Sequence, residues 1–190
     1  MVNSPINTLS DNELVEMVKA GNERSAFNEI VRRNKGRIAY TVYGLLGKCC
    51  DAEDIGQEVF IRFLRAIENY NGKYALSTYL TRIAVNLSLN ELRRRKIRGL
   101  FSFDAMQEDG MEIPALPEAD PLDEKRAIVQ IALSKLSDKH RTIIVLRLID
   151  EYSTEETAQI LNIPTGTVLS RLARAQEKLR EILKSYREKV

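Results

Sequence analysis

Five residues near the C-terminus, Thr167, Ser170, Arg171, Arg174 and Lys178, have the types and spacing to hold a DNA duplex. On a helix turning 100° per residue they stay clear of the stripe Val168, Leu172, Ala175 and Leu179, which must face a core. Arginine can bind guanine bidentately, and a lysine such as Lys178 suits phosphate. Just upstream, Ser153 and Glu156 make a capping-box pattern that opens the helix TEETAQIL. The turn NIPTG, with Pro164 and Gly166, interrupts it before a second helix begins. This is helix-turn-helix spacing, a motif that presents exposed residues at the start of its second helix to the major groove. The same residues also fit a solvated helix face laced by Glu177 and Glu181.

A second constellation occupies LSTYLTRIAVNLSLNELRRRK, residues 76–96. Leu76, Leu80, Ile83, Ala84 and Leu87 form its apolar stripe, and Arg82, Asn86 and Arg93 share another face about 120° away. Tyr79 lies between the two faces, and Tyr70 and Tyr74 precede the helix. Rings that stack, an amide that reads an edge and arginines that hold phosphates suit unstacked bases. Equally, the tyrosines could complete a small core and Arg93–Arg94–Arg95 could be a solvated helix end. A third surface lies on residues 52–69, where Ala52, Val59, Phe60, Phe63 and Ile67 form the core stripe. Asp54, Gln57, Glu58, Ile61 and Arg65 point the other way, a small patch of the kind that docks proteins.

The elements that position these surfaces are helical throughout. Apolar residues recur at three and four, and no stretch alternates over the length of a strand. Ser10 and Glu13 form a capping box that opens a first helix; others are expected near 24–34, 37–47, 52–69, 76–96, 122–136, 138–149, 154–161 and 166–186. The net charge of +2 conceals a strong asymmetry. Residues 1–98 carry 16 basic and 11 acidic side chains, residues 99–124 carry none and 8, and residues 125–190 carry 13 and 8. The middle block also holds three of the five prolines, so it reads as an acidic linker between two basic domains. The expected fold is all-α: two small helical domains, 1–98 and 122–190, joined by a flexible acidic linker at 99–121.

Composition removes several classes. With 44% hydrophobic residues the chain can build packed cores, yet no apolar run approaches the roughly 20 residues of a spanning helix. The N-terminal stretch MVNSPINTLSDNEL lacks a basic start and an apolar run, so neither a signal peptide nor membrane insertion is expected. Two adjacent cysteines, Cys49 and Cys50, and a single histidine, His140, are too few for a structural zinc. No phosphate-binding glycine loop appears and His140 has no evident nucleophile partner, so neither enzymatic activity nor a cofactor is expected.

The run DAEDIGQEVFIRFLRAIENYNGKYALSTYLTRIAVNLSLNELRRRK resembles region 2 of a bacterial sigma factor, and LSDKHRTIIVLRLIDEYSTEETAQILNIPTGTVLSRLARAQEKL resembles region 4. Two such regions with no third domain between them are similar to the extracytoplasmic-function group of the sigma-70 family. The resemblance implies a cytoplasmic transcription initiation factor that binds core RNA polymerase and promoter DNA, duplex and single-stranded, and is restrained by an anti-sigma factor. It implies docking on the clamp helices of the largest polymerase subunit through Asp54, Gln57, Glu58, Ile61 and Arg65. Residues from Tyr70 to Lys96 would recognise the minus-10 element and capture a flipped base, with Asn86 matching the family's RIA-x-N asparagine. Arg171 and Arg174 would lie on the minus-35 element, and the linker would thread through basic polymerase channels. Three positions depart from the family pattern: Tyr79 stands where many members have tryptophan, Leu169 where a basic residue is common, and Glu151 where glycine is common. The rival reading is a polymerase-independent helix-turn-helix regulator whose N-terminal bundle senses a signal or dimerises.

Overall fold

The computed structural model describes residues 6–187 apart from 22, 48 and 103–120. Most of the expected linker, and with it any path through a partner, therefore lies outside the described residues. Among those described there is no strand. The helices are α1 (Asp11–Lys19), α2 (Glu23–Leu46), α3 (Cys50–Arg65), α4 (Leu76–Ser102), α5 (Pro121–Ser134), α6 (Asp138–Ile144), α7 (Thr154–Leu161) and α8 (Thr165–Arg187). A π-helical turn, Val145–Ile149, continues α6, and a 3-10 turn, Ile67–Asn69, follows α3. Both expected capping boxes form: Ser10 Oγ accepts from the Glu13 amide and Ser153 Oγ from the Glu156 amide. Helix α4 runs to Ser102, four residues into the segment expected to be linker.

One expectation fails at Gly36, where two helices were anticipated and a single helix α2 runs through. A mid-helix glycine costs about 0.5–1 kcal/mol relative to alanine. Packing on both sides outweighs that cost, because Ile30, Ile38, Val42 and Leu45 are fully buried along one stripe of the uninterrupted helix. Asn34, also buried, donates from Nδ2 to the Ile30 carbonyl (2.9 Å) and so stays satisfied inside the stripe.

The second difference is larger. Helices α1–α4 and α5–α8 form the two expected lobes, but they are not simply strung on a tether. Helix α2 packs against α5, α6 and the π turn, and α4 packs against α6 and α7. One continuous core runs from Leu14, Ile30 and Phe63 through Leu80 to Leu133, Ile144, Leu146, Tyr152 and Ala175. At the seam a Cβ on Gly44 would lie 2.9 Å from Val145 Cγ2, so α2 approaches the π turn more closely than any side chain there allows. Polar contacts reinforce the seam: Arg141 Nη1 donates to the Leu45 carbonyl (2.7 Å), and Lys96 pairs with Asp138 (2.6 Å).

Candidate nucleic-acid and protein-docking surfaces

Helix α3 owes its orientation to Ala52, Val59, Phe60 and Phe63, all buried against the N-terminal core. Asp51 and Glu53 in its first turn and Arg62 and Arg65 in its last complement the helix dipole. On its outer face Asp54, Gln57 and Arg65 are exposed, Ile61 is 44% exposed, and Glu58 is half-buried beneath an ion pair with Arg62 (2.8 Å). The structure thus brings all five expected docking residues onto one helix face. It also supplies a wall that sequence reasoning missed. An acid-rich groove of about 660 Å³ runs between α3 and α4, with Asp51, Asp54 and Glu58 opposite Asn90, Glu91 and Arg94. Leu87, Asn90, Glu91 and Arg94 recur at three and four, a spacing that marks a second face of α4 turned toward α3.

Along α4, Arg82, Asn86 and Arg93 are exposed on the face expected for them, with Arg93 donating to Asn90 Oδ1 (2.7 Å). The tyrosines divide. Tyr70, expected at a base-binding surface, is only 4% exposed and belongs to the core. Its ring meets Phe63 and Tyr79 edge-on, with centroids 6.4 and 5.4 Å away. Its hydroxyl donates to the Tyr74 carbonyl (2.8 Å), and burial raises the phenol above its ordinary pKa. Tyr70 therefore shapes the loop rather than facing solvent, because a T-shaped aromatic cluster is more stable buried than split by water. Tyr79 is half-buried in the same cluster, 6.1 Å from the Phe63 ring, and leaves only part of itself at the surface. Tyr74 is 38% exposed with Lys73 Nζ 5.5 Å from its ring centroid, a cation and an aromatic presented together. Gly72, at φ +69, permits the tight turn that places them. Arg95 is structural in part: it donates to Asp51 (2.8 Å) and to Cys49 Sγ (2.9 Å), tying α4 to the start of α3.

In the C-terminal lobe α7 ends at Asn162, whose left-handed backbone (φ 52) closes the helix, and the Ile163 amide returns to the Ala158 carbonyl (3.0 Å). Pro164 then accepts from the amides of Thr167 and Val168, starting α8. Val168 and Ala175 are fully buried, and Leu172 and Leu179 pack on the same core. Ser170, Arg174 and Lys178 are exposed, while Thr167 and Arg171 are half-buried at the edge of the same face. Their charges converge on the neighbouring helix α6. Burial first, then Lys178, Arg174 and Arg171, hold the His140 imidazole below its usual range. Leu169, 55% exposed among them, is an apolar residue on an otherwise cationic and polar face.

An all-helical chain carrying a helix-turn-helix with a basic outer face, and a second helix with exposed arginines and an amide beside aromatics, is built to read nucleic acid. The sigma-70 region 2 family model matches residues 30–97 and the sigma-70 region 4 model matches residues 132–181. The ECF RNA polymerase sigma factor SigW of Bacillus subtilis is 38% identical over 178 residues, spanning 90% of this chain and 95% of SigW. The ECF RNA polymerase sigma-E factor of Escherichia coli is 35% identical, spanning 90% of this chain and 93% of its own length. Among solved structures, CnrH in complex with the cytosolic domain of CnrY superposes with a TM-score of 0.68 at 24% identity, covering 92% of this chain and 97% of that one. RpoE in complex with the anti-sigma factor NepR from Bartonella quintana gives 0.67 at 24% identity, covering 85% and 98%.

The chain belongs to the extracytoplasmic-function group of the sigma-70 family. It is a transcription initiation factor that binds core RNA polymerase and directs it to promoters. Sigma factors act by binding rather than by catalysis. Among the described residues no helix is long and apolar enough to cross a membrane, and no cluster of three or more His, Cys, Asp or Glu could hold a metal.

Proposed function

We propose that the three exposed surfaces divide the work of initiation among them, with residues 1–98 acting as region 2, 99–121 as linker and 122–190 as region 4. The face Asp54, Gln57, Glu58, Ile61 and Arg65 docks on the clamp helices of the polymerase largest subunit, the exposed Ile61 giving an apolar centre within a polar rim. Arg82, Asn86 and Arg93 hold the melted minus-10 strand, with Tyr74 and the accessible edge of Tyr79 as stacking surfaces. Tyr70 contributes by fixing the Tyr74 loop through its 2.8 Å hydrogen bond. Capturing a base shifts the melting equilibrium without fuel, because only the open promoter presents it.

On α8, Thr167, Ser170, Arg171, Arg174 and Lys178 read and grip the minus-35 duplex. The observation that carries the proposal is the exposure of Ser170, Arg174 and Lys178 on one face of α8, with Thr167 and Arg171 at its edge. Cations on one such face can neutralise backbone phosphates and release their counterions. The factor works in the cytoplasm. Two solved structural neighbours are complexes with CnrY and with the anti-sigma factor NepR, and this chain too is restrained by an anti-sigma protein. The test is run-off transcription with bacterial core polymerase on host genomic fragments, with and without the protein. New transcripts that share two upstream elements at a fixed spacing are expected. Folded protein that drives no initiation from active core would overturn the proposal in favour of a polymerase-independent regulator.

A further inference from the structure

Between the π turn and α7 lie four residues, Asp150 to Ser153, and two of them, Asp150 and Tyr152, meet the N-terminal lobe. Thr41 Oγ1 on α2 is 2.7 Å from Asp150 Oδ2 and 3.1 Å from the Arg37 carbonyl. A hydroxyl has one proton and cannot donate to two acceptors. Only with the carboxyl protonated are both contacts hydrogen bonds at once: Asp150 donates to Thr41 Oγ1 while Thr41 donates to the Arg37 carbonyl. Burial is the dominant influence on this carboxyl and raises it to about 6, against the opposing pull of Thr41 and Arg37. Two residues on, the buried Tyr152 hydroxyl lies 2.6 Å from Thr81 Oγ1 on α4, and the Arg37 guanidinium sits 5.3 Å from its ring centroid. Glu156 on α7 adds its charge near Arg37, Arg147 on the π turn donates to the Tyr152 carbonyl, and Tyr40 and Ile149 border a pocket beside Asp150. That pocket, about 410 Å³, opens the site to solvent protons.

We propose that Asp150 and Tyr152 form a proton-dependent clasp that holds the two lobes closed, in a state that cannot engage both promoter elements at once. The inference rests on the promoter-reading role proposed above. Elements named minus-10 and minus-35 stand about 25 base pairs apart, roughly 85 Å of duplex at 3.4 Å per base pair. A compact chain of 190 residues has a radius of gyration of about 16 Å, so lobes in contact cannot reach both. The sign of the proton effect follows from linkage. Once the lobes part, Asp150 returns toward its ordinary value of 3.8, so the closed form binds the extra proton. Acidification through the interval from about 6 downward favours closure, and neutral pH favours release.

Small-angle X-ray scattering on the full chain, without polymerase or DNA, tests the clasp. The radius of gyration is expected to fall between about pH 7.5 and about pH 5, a range above the ordinary carboxylate values near 4. Asp150→Asn, whose amide can donate to Thr41 as the protonated acid does, should stay closed at both pH values. Thr41→Val and Tyr152→Phe should be more open than wild type at both, with helix content by circular dichroism separating opening from unfolding. A wild-type radius that does not change with pH, or an Asp150→Asn protein as pH-sensitive as wild type, overturns the clasp. Run-off activity is read separately. Initiation without pH-dependent closure sinks the clasp alone, whereas closure without initiation sinks the promoter-reading role alone.

Discussion

Arg141 on α6 donates to the carbonyl of Leu45 in the last turn of α2, 2.7 Å away, and so joins the ends of helices from different lobes. The same guanidinium reaches the carbonyls of Leu133 (2.8 Å) and Ser134 (2.8 Å) at the end of α5 and of Leu136 (3.3 Å) just beyond it. A helix leaves its last carbonyls without partners, and a cation there satisfies them and complements the dipole. Arg141→Ala should lower stability by about 2 kcal/mol, the scale of stranding partly buried acceptors. Urea unfolding followed by circular dichroism measures it. Arg141→Lys should recover only part, since an ammonium lacks the planar fork of five donors. An alanine variant as stable as wild type would remove Arg141 as a cap.

Much of this architecture could be read in advance, and the misses share a physical cause. Periodicity at three and four located the stripes of α3, α4 and α8, because local spacing decides which side of a helix is apolar. It said nothing about the seam between lobes. Gly44 meets Val145, Thr41 meets Asp150 and Thr81 meets Tyr152 from positions far apart in the chain, and their individual types carry no sign of a partner. Tyr70 looked like a loop aromatic because its neighbours in the core, Phe63 and Tyr79, stand on separate helices. The acid-rich groove was missed for the same reason: each wall is visible in one helix, but only packing sets them face to face.

Asn86 and the docking residues lie on different helices, with Asn86 exposed on α4 and Asp54 and Ile61 exposed on α3. Asn86→Ala should therefore impair promoter opening while leaving polymerase affinity nearly unchanged. Loss of one hydrogen bond of about 1 kcal/mol corresponds to roughly a fivefold reduction in open complex. Permanganate footprinting of the melted strand, alongside a binding titration with core polymerase, reads the two effects separately. Equal loss in both assays from a folded variant would count against the assignment.

Arg171 sits at the half-buried edge of the α8 face, whereas Arg180 is exposed on the opposite side of the same helix. Arg171→Ala should weaken binding to minus-35 duplex by about 1–3 kcal/mol and relax preference at one base pair, the signature of a base-edge contact. Arg180→Ala should change binding little. Competition with a library of duplexes reads both quantities. A uniform loss across all sequences would reassign Arg171 to the phosphates.

Glu151 holds φ at 60, a left-handed conformation, at a position where the resembling family commonly carries glycine. A side chain in that region costs roughly 1–2 kcal/mol, of which glycine's greater freedom in the unfolded chain gives back about 0.5–1 kcal/mol. Glu151→Gly should consequently be more stable than Glu151→Ala, which keeps the Cβ and hence the strain, by up to about 1.5 kcal/mol. Thermal unfolding of the two variants makes the comparison. Since Glu151 is exposed, its lost side-chain contacts should cancel between them. Equal melting temperatures would mean the segment relaxes out of the left-handed region.

Glu29 lies inside a fork of arginines on α2, with Arg32 Nε 2.7 Å from one carboxylate oxygen and Arg33 Nε 2.8 Å from the other. Arg33 extends the network to Asp11 on α1 at 3.1 Å, so the cluster fastens the first helix to the second. Hydrogen bonds from Arg32 and then Arg33 hold the Glu29 carboxyl down at about 2, against an ordinary 4.5. A depressed folded-state value means that the unfolded chain takes up its proton first as pH falls. The stabilisation is therefore complete above about pH 4.5 and is lost as pH falls toward about 2. Glu29→Gln should be less stable than wild type at neutral pH, and the gap should close through that window. Denaturant unfolding of both proteins at a series of pH values measures it. A gap that stays constant down to the acid limit would mean that shape and packing, rather than the ionised carboxylate, make Glu29 matter.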